Sequence, residues 1–462
     1  MFTARTASFV TRAMPRVIDP LALQQCNASR YPYLLQSVAH GTPQSRYDIL
    51  FAFPGAQLRL NVDGSCVNEQ GIVRGTDFLS ALDTCWSDSR SETPLDADAP
   101  PFRGGWFLYL GYELANQIER GLKLASGNRL PVAWATRIPA AVVIDHRLAT
   151  TTLVVESDRA ELLDEMQSDL SRTDAHATKS LPPVTLASTL QEDDPEPYLD
   201  AVERARRYIL DGDIFQANLS RRWRTSLDPD TAPLRVYQQL RKANPAPFAG
   251  LALHQDAAVI SSSPERLVSV RNGRIDARPI AGTRPRHADA AADAALIREL
   301  IEHPKERAEH VMLLDLERND LGRVARTGSV RVDELMVVES YSHVHHIVSN
   351  VCAELRPDAT PGQVIRAVFP GGTITGCPKV RCMEIISELE QTPREAYTGS
   401  MGYLNRDGDM DLNILIRTLI QDGTRLEFRA GAGIVADSIP ERELDETRAK
   451  ARGMARALGV AY

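Results

Sequence analysis

The chain has 462 residues, of which 43% are hydrophobic and 25% charged, and its net charge is −8. This length allows two or three domains with a large core, and the acidic balance argues against nucleic acid as a main partner. No stretch reaches the roughly 18 apolar residues that a membrane span needs. The six cysteines form no Cys-x-x-Cys pair, which predicts a reduced, cytoplasmic protein.

The N-terminal part shows the pattern of short strands. Residues 48–52 form one, and 140–144 and 152–155 alternate as an antiparallel pair would. Residues 171–195 are polar, proline-bearing and aperiodic, which predicts a linker. The expected organisation is therefore an N-terminal region at 1–170 and a catalytic region at 196–462.

The C-terminal part mixes hairpins with helices. After the linker, Pro197 is predicted to start a helix. Asn-Gly and Asp-Gly pairs between apolar runs predict tight hairpins at 272–273, 407–408 and 422–423. Helical stretches are expected near 288–317, 361–368, 378–391 and 441–458. Antiparallel strand groups that alternate with helices predict a layered α+β fold.

The segment PGGTITGCPKVRCMEIISELE (370–390) predicts a loop followed by a helix. Gly371 and Gly376 let backbone N–H groups approach a ligand closely, and Pro378 is expected to open an amphipathic helix. A helix N-terminus together with Lys379 attracts an anion. The segment therefore predicts a site for an anionic small molecule.

The same loop does not match the phosphate-binding loop of nucleotide hydrolases. That motif needs Lys and then Ser or Thr directly after its second glycine. Here Cys377 and Pro378 precede Lys379, and Val380 replaces the hydroxyl residue. Nucleotide hydrolysis is therefore not predicted.

Near the C-terminus, Glu443 and Glu446 lie three residues apart and are followed by Lys450. Two carboxylates at this spacing suit a hard divalent cation, although Glu446 and Lys450 alone could equally form a surface ion pair. Combined with the glycine loop, they predict an anion held by donors on one side and by Mg²⁺ on the other.

Eight segments of the second half occur in an order and spacing that is familiar as a set: GDIFQANLSRRW (212–223), NPAPF (244–248), SSPERL (262–267), RPIAGTRPR (278–286), AEHVMLLDLERNDLGRV (308–324), the glycine loop, GSMGYLNRDGDMDLNILIRTL (399–419) and GAGIVADSIPERELDETRAK (431–450). Over 195–460 the chain closely resembles the chorismate-utilising enzymes, which include anthranilate, aminodeoxychorismate, isochorismate and salicylate synthases. YPYLLQS (31–37) and RGGWFLYLGYE (103–113) resemble the N-terminal part of the two amine-forming members. The resemblance implies an α+β fold in which two antiparallel sheets pack as a sandwich with helices outside.

The resemblance also implies how the substrate is held. Glu309 and Glu446 correspond to Mg²⁺ ligands, with Glu443 close by, and the ion bridges them to the ring carboxylate of chorismate. Arg417 and Tyr397 correspond to the pair that holds the enolpyruvyl carboxylate, for which a bidentate guanidinium is suited. The remaining positions implied to line the substrate are Thr373, Gly431, Gly433, Lys450 and Ala281.

Four residues are implied to act in catalysis. Glu265 corresponds to the general acid that protonates the departing 4-hydroxyl group, which requires a pKa raised by burial. His346 corresponds to a histidine near the reacting ring, and Lys379 and Gln216 complete the set. A metal site made by His346 with His343 and His345 is not expected, because adjacent side chains diverge.

Two positions bear on the reaction type. At Gln216 the water-adding members carry a lysine that serves as general base. An amide cannot take up a proton, so ammonia is the expected nucleophile. At Ala281 one type of aminodeoxychorismate synthase carries a nucleophilic lysine, whereas anthranilate synthases carry alanine. Both amine-forming reactions therefore stay open at this point.

Three segments favour the aminodeoxychorismate reaction: the loop TITGCPKVRC, NPAPF at 244–248, and LLQS at 34–37, which lacks the glutamate of the tryptophan-feedback motif. We therefore predict component I of an aminodeoxychorismate synthase, which serves 4-aminobenzoate and folate synthesis. The sequence has no Gly-x-Cys-x-Gly motif, so ammonia is expected from a separate glutamine amidotransferase subunit. Anthranilate synthase component I is the alternative, and an inactive chorismate-binding regulator is a third hypothesis.

Overall fold

The computed structural model describes residues 8–39, 45–91, 98–175, 182–340 and 344–461, with the backbone alone at 174–175, 281, 283, 304–306 and 344. These residues form eleven helices: α1 (Pro20–Cys26), α2 (Phe78–Ser89), α3 (Ala115–Ile118), α4 (Leu162–Ala175), α5 (Pro195–Leu210), α6 (Pro233–Ala243), α7 (Ala290–Glu302), α8 (Pro304–Gly322), α9 (Pro361–Val368), α10 (Lys379–Glu390) and α11 (Pro440–Ala457).

The described residues also form twenty-four strands. The first twelve are β1 (Phe9–Met14), β2 (Tyr33–Gln36), β3 (Tyr47–Ala52), β4 (Gln57–Leu60), β5 (Cys66–Asn68), β6 (Val73–Gly75), β7 (Gly105–Leu110), β8 (Ala133–Ile138), β9 (Ala140–Asp145), β10 (Thr150–Glu156), β11 (Gln191–Glu192) and β12 (Gln216–Ser226). The others are β13 (Phe248–His254), β14 (Ala257–Ser263), β15 (Arg266–Arg271), β16 (Arg274–Ala277), β17 (Ile280–Pro285), β18 (Arg331–Ser340), β19 (Val344–Glu354), β20 (Gly376–Cys377), β21 (Ser400–Asn405), β22 (Met410–Asn413), β23 (Thr418–Asp422) and β24 (Arg425–Ile434).

The strands build two antiparallel sheets of twelve strands each. The first has the order β1-β10-β9-β3-β2-β13-β14-β23-β24-β12-β11, with β20 paired to β12. The second has the order β17-β19-β16-β15-β22-β21-β7-β8-β4-β5-β6, with β18 paired to β19. Apart from the edge strand β11, each sheet contains one block of strands from before 171–195 and one block from after it, which meet at the β2–β13 pair in the first sheet and at the β7–β21 pair in the second. The domain boundaries at that segment stay a prediction, but the two parts of the chain complete each other's sheets.

An aromatic layer joins the two sheets. Tyr33 of the first sheet stacks on Phe107 of the second with ring centroids 4.1 Å apart, and Phe51 meets Phe107 edge-on at 5.5 Å. Helices cover the outer faces, with α2, α8 and α9 on the second sheet and α1, α4, α6 and α11 on the first. This is the predicted sandwich of antiparallel sheets with helices outside.

The three predicted hairpins are confirmed. Asn272-Gly273 joins β15 to β16, and both residues have the positive φ (53° and 75°) that a two-residue hairpin loop requires. Residues 407–408 join β21 to β22, and residues 422–423 join β23 to β24. The predicted pair at 140–144 and 152–155 also forms, as β9 and β10.

Two helix predictions are corrected. The stretch predicted as helical near 288–317 is two helices, because Pro304 has no N–H for a continuing helix and α8 begins there. Helix α5 begins at Pro195 instead of Pro197, since the Asp194 side chain accepts a hydrogen bond from the N–H of Glu196 and caps the helix two residues earlier. Among the described residues, no helix is both long and apolar enough to cross a membrane.

Residues 413–419 alternate like a strand in sequence, but they do not form one continuous strand. Strand β22 of the second sheet ends at Asn413, and β23 of the first sheet begins at Thr418. The residues between them carry the chain from one sheet to the other. This break positions Arg417, as described below.

Replacing Phe107 with alanine should lower the free energy of unfolding by about 3–5 kcal/mol, because the ring is fully buried and its removal leaves a cavity between the sheets. Chemical denaturation measures the change. Val73→Ala is the control, since that side chain is 62% exposed, and its effect should stay within about 0.5 kcal/mol. Equal effects of the two changes would contradict the placement of Phe107 in the core.

Candidate active site

Two of the points at which the chain crosses between the sheets lie next to each other. One crossing lies between β14 and β15 and contains Glu265, and the other lies between β22 and β23 and contains Arg417. Hydrogen bonds join the crossings: the N–H of Ile414 donates to the carbonyl of Glu265 at 3.0 Å, and that of Ser262 donates to the carbonyl of Arg417 at 3.1 Å. We call this region the crossover site.

Glu265 is only 6% exposed, and its Oε1 accepts a hydrogen bond from Thr373 Oγ1 at 2.7 Å. Burial raises the pKa of Glu265 to about 7, although the Thr373 hydroxyl and the charges of Lys450 and Arg417 act in the opposite direction. A carboxyl group with such a pKa is partly protonated near neutral pH, and it can donate a proton to a leaving group. The burial that the predicted general acid requires is therefore present.

Arg417 is half-buried, has a left-handed backbone (φ 52°), and makes no hydrogen bond or salt bridge through its guanidinium to another described residue. Its charge opposes protonation of His346, which is 4% exposed; burial is the larger effect, and together they lower the pKa of His346 to about 4. The site thus offers a neutral imidazole and an uncommitted guanidinium, which is suited to a carboxylate ligand.

A second wall of the site is formed by β12 and β24. A Cβ atom at Gly433 would lie 2.4 Å from Nε2 of Gln216, and one at Gly431 would lie 2.6 Å from the Tyr397 hydroxyl and 2.8 Å from Oδ1 of Asn218. At Gly431 the Cβ would also lie 2.6 Å from the backbone carbonyl of Leu219, so glycine is required there, whereas at Gly433 it would displace the end of the Gln216 side chain. Gln216 Oε1 and Asn218 Oδ1 are buried without a hydrogen-bond partner among the described residues.

Lys450 connects this wall to the predicted metal ligands. Its Nζ donates to the carbonyl of Gly431 at 2.9 Å and lies 2.8 Å from Glu446 Oε1, one turn away on α11. Glu446 and Glu443 both lie close enough to Tyr198 for their charges to oppose its ionisation, although burial is the main reason that its pKa is raised. Two predicted ligands thus flank the α5–α11 side of the site.

The predicted Mg²⁺ ligands do not form a preassembled cluster. In the part of the chain that the structure describes, one group of three ligand atoms lies within 4.8 Å, that of Asp276, Asp333 and Cys352, and Arg274 already forms salt bridges with both aspartates. Glu309 lies on α8, whereas Glu443 and Glu446 lie on α11. Their hard oxygen donors fit Mg²⁺, which is usually held by one or two carboxylates together with the substrate.

Lys379 is placed differently from a simple anion-binding residue. It is the first residue of α10, and its Nζ donates to Asp320 Oδ2 at 2.5 Å and to the carbonyl of Val368 at 3.2 Å. Its charge is therefore engaged inside the protein, below the glycine loop. The catalytic role implied for Lys379 stays a prediction.

Ala281 lies next to the crossover site. It pairs with Ile347 in the β17–β19 ladder, and the N–H of the preceding Ile280 donates a hydrogen bond to the Glu265 carboxyl group. The adjacent imidazole of His345 is turned to Asp293 and Ser340, at 2.9 and 2.7 Å. His343 lies outside the described residues.

Two polar residues of the site were missed from the sequence. Asn218 stands two residues after Gln216, and strand periodicity alone would have placed both on one face. Glu317 is 7% exposed on α8, where the buried Leu314 and Leu321 define a stripe at i, i+3 and i+7 that includes it. A carboxylate on the apolar stripe of a helix was the sequence signal that could have identified Glu317 as a buried polar residue.

A cavity of about 370 Å³ is lined by two of the segments that favour the aminodeoxychorismate reaction. Leu35, Gln36 and Ser37 line it together with Pro247 and Phe248, whereas none of the predicted site residues does. The Gln36 amide donates to Asp48 at 2.9 Å, and its oxygen accepts from Tyr237 at 3.0 Å. The carboxamide is thus held by protein groups.

Known proteins share this architecture. Residues 44–456 match the profile of a family described as chorismate binding enzyme. An anthranilate synthase component I-like protein of Synechocystis sp. is 44% identical over 82% of this chain and 78% of its own length. Aminodeoxychorismate synthase component 1 of Bacillus subtilis is 40% identical over 93% of this chain and 92% of its own. The crystal structure of anthranilate synthase component I from Streptococcus pneumoniae TIGR4 matches with a TM-score of 0.78 and 33% identity, covering 90% of this chain and 93% of that one.

The raised pKa of Glu265 predicts a pH-dependent cost in stability. Between its ordinary pKa of 4.5 and the folded value of about 7, the unfolded chain ionises while the folded protein keeps the proton, so stability falls as pH rises. Glu265→Gln should therefore unfold with about 3 kcal/mol more free energy than the wild type at pH 8, and with no gain at pH 4.

Denaturant titrations at both pH values measure this difference. The exposed Glu302 provides the control, since Glu302→Gln should change stability equally little at pH 4 and pH 8. A Glu265→Gln variant without any gain at pH 8 would show that the carboxyl group is not destabilised by burial.

Proposed function

The chain belongs to the family of chorismate binding enzymes, and we propose that it is the chorismate-aminating component I of an aminodeoxychorismate synthase. In this proposal chorismate and ammonia react to give 4-amino-4-deoxychorismate and water. The amino product is a precursor of 4-aminobenzoate and folate. Membership of the family makes the protein a chorismate-utilising enzyme; the choice of product is the proposed part.

One observation carries the proposal: an uncommitted guanidinium lies beside a buried, protonatable carboxyl group. Chorismate has a carboxylate on its enolpyruvyl arm and a hydroxyl group at C4. Arg417, with Tyr397, suits the carboxylate because a guanidinium binds carboxylates through two parallel hydrogen bonds. Glu265 suits the hydroxyl group because burial keeps a proton on its carboxyl group near neutral pH. Binding through Arg417 would orient the ring for this proton transfer.

In the proposed reaction Glu265 first donates a proton and later takes one back. The C4–O bond breaks as Glu265 donates its proton, and the hydroxyl group leaves as water. Ammonia ends on C4, and the proton it sheds returns to the Glu265 carboxylate, which restores the acid. Alanine at 281 supplies no nucleophile, so no covalent bond to that position takes part.

The side chains of β12 suit ammonia as the nucleophile. Gln216 Oε1 and Asn218 Oδ1 are buried acceptors without a protein partner among the described residues, and the N–H groups of ammonia can donate to both. Neither amide can act as the base that water would need. In this proposal the ammonia comes from a glutamine amidotransferase subunit.

Mg²⁺ completes the proposed site. Glu309, Glu446 and Glu443 would hold the ion, which when bound neutralises the ring carboxylate of chorismate. Lys450 keeps the α11 end of this set in place through its contacts with Glu446 and with the carbonyl of Gly431.

The choice of aminodeoxychorismate has two supports besides the loop sequence. The Bacillus subtilis relative is named for this product and matches over nearly its full length. In addition, Gln36 presents a neutral amide to the cavity at the position of the tryptophan-feedback glutamate, and that amide is already bonded to Asp48 and Tyr237. An amide cannot form an ion pair with the ammonium group of an amino acid.

Anthranilate synthase is the second candidate, and two observations favour it. Ala281 matches the residue of that enzyme, and the structure from Streptococcus pneumoniae, which is named an anthranilate synthase component I, matches over 90% of this chain. Product analysis separates the two candidates.

The decisive experiment is to incubate the purified chain with chorismate, Mg²⁺ and a high concentration of ammonium salt, and to resolve the products by mass and fluorescence. Aminodeoxychorismate, which an added lyase converts to 4-aminobenzoate, is the expected product. Anthranilate would transfer the protein to the second candidate. Chorismate left intact under all conditions would indicate a binding protein without turnover.

Glu309→Gln should remove most Mg²⁺-supported turnover at low millimolar Mg²⁺, because an amide is a weaker ligand for this hard cation than a carboxylate. Titrating the ammonia-dependent activity with Mg²⁺ measures the requirement, which should rise at least about tenfold on loss of a ligand carboxylate. Asp315→Asn on the same helix is the control, because that side chain is 67% exposed. An unchanged Mg²⁺ requirement in Glu309→Gln would exclude Glu309 from the metal site.

A further inference from the structure

A second buried carboxyl group lies behind the general acid, on the far side of the glycine loop. Glu317 of α8 is 7% exposed and accepts a hydrogen bond from the N–H of Gly372. The next residue, Thr373, donates its hydroxyl hydrogen bond to Glu265 at 2.7 Å. Two consecutive residues of the loop are therefore held by two carboxyl groups, one on each side.

The contact between α8 and the loop is close. A Cβ atom at Gly372 would lie 2.4 Å from Leu316 Cδ2 and 3.4 Å from Glu317 Oε1. The loop therefore rests directly on this turn of α8, and a shift of the Glu317 side chain would move the backbone that carries Thr373.

The charges around the two carboxyl groups come from four elements. Glu317 faces Asp320 on its own helix, Lys379 on α10 and Glu265 at the crossing. Burial raises the pKa of Glu317 to about 8, with Asp320 and Glu265 adding to the effect and Lys379 opposing it. On the other side, Glu265 faces Lys450 of α11 and Arg417 of the second crossing. The charges of Arg323 and Glu119 act on Asp320, which in turn faces Glu317.

We propose that Glu317 is a positioning residue for the general acid: it holds the Gly372–Thr373 turn against Glu265 and sets a second carboxyl group behind the first. This inference rests on the proposed role of Glu265, but it holds for either amine product. It assigns a function to a residue that the resemblance leaves without one.

The second carboxyl group has a consequence for the pH dependence. Glu265 has a pKa of about 7, whereas burial and the charges of Asp320 and Glu265 raise the pKa of Glu317 to about 8, so Glu317 is still protonated while Glu265 loses its proton. A glutamine at 317 reproduces this neutral group and should leave the pKa of Glu265 unchanged. Since the reaction needs the protonated acid, the alkaline limb of the rate profile should stay in place in that variant.

The test uses two complementary variants of the full chain, with ammonium salt and saturating chorismate. Glu317→Gln keeps the reach, the acceptor oxygen and the neutral state of the protonated carboxyl group. It should therefore keep both the wild-type kcat and the wild-type alkaline limb, as a rescue by the conservative variant. Glu317→Asp keeps the charge but withdraws from Gly372. It should lower kcat about tenfold on the plateau, because the acid is misplaced.

Asp315→Asn, an exposed carboxylate on the same helix, should change neither quantity. Chorismate consumption by the wild type comes first, since an inert wild type would refute the proposed function and leave nothing to assign to Glu317. With an active wild type, a normal Glu317→Asp plateau, or a Glu317→Gln plateau as low as that of Glu317→Asp, would overturn the inference. Thermal melts complete the test, since failure of both variants to fold would assign Glu317 to stability alone and would also overturn it.

Discussion

The fold holds one carboxyl group out of water, and the structure around it supports that burial. Glu265 is buried and, within the described residues, has no salt bridge. The free-energy cost of that burial appears as a pKa near 7, and it is met by the rest of the fold. The two crossings that bond to each other through Ile414 and Ser262 hold the buried Glu265 and the half-buried Arg417 at the sheet junction.

The N-terminal part of the chain supports the site from outside it. The Glu113 carboxyl group accepts hydrogen bonds from the backbone N–H groups of Arg394 and Glu395, at 2.7 and 3.1 Å. The guanidinium of Arg394 lies 5.5 Å from the Tyr397 ring centroid and forms a salt bridge with Glu390. Because Glu113 belongs to the segment RGGWFLYLGYE, the N-terminal part of the chain contributes to the contacts that position Tyr397.

Several local features of the site depart from what the backbone would prefer. Arg417 adopts a left-handed conformation that costs a non-glycine residue stability, and Gln216 Oε1 and Asn218 Oδ1 are buried without a partner among the described residues. Such departures concentrate where a ligand replaces the missing interactions. Two of them, Arg417 and Gln216, are positions that the resemblance implied, and the third, Asn218, lies two residues from Gln216 on β12.

The sequence by itself determined the periodic and local features. The hairpin at Asn272-Gly273, its two counterparts and the β9–β10 pair follow from short-range patterns, because turn chemistry and side-chain period depend on neighbours along the chain. The family follows from motifs that are equally local. Only the tertiary structure decided which polar groups meet. The burial of Glu265, the break before Arg417 and the place of Glu317 behind the glycine loop depend on packing between segments far apart in the chain. Local periodicity records which face of an element is buried, but it does not record what that face is buried against.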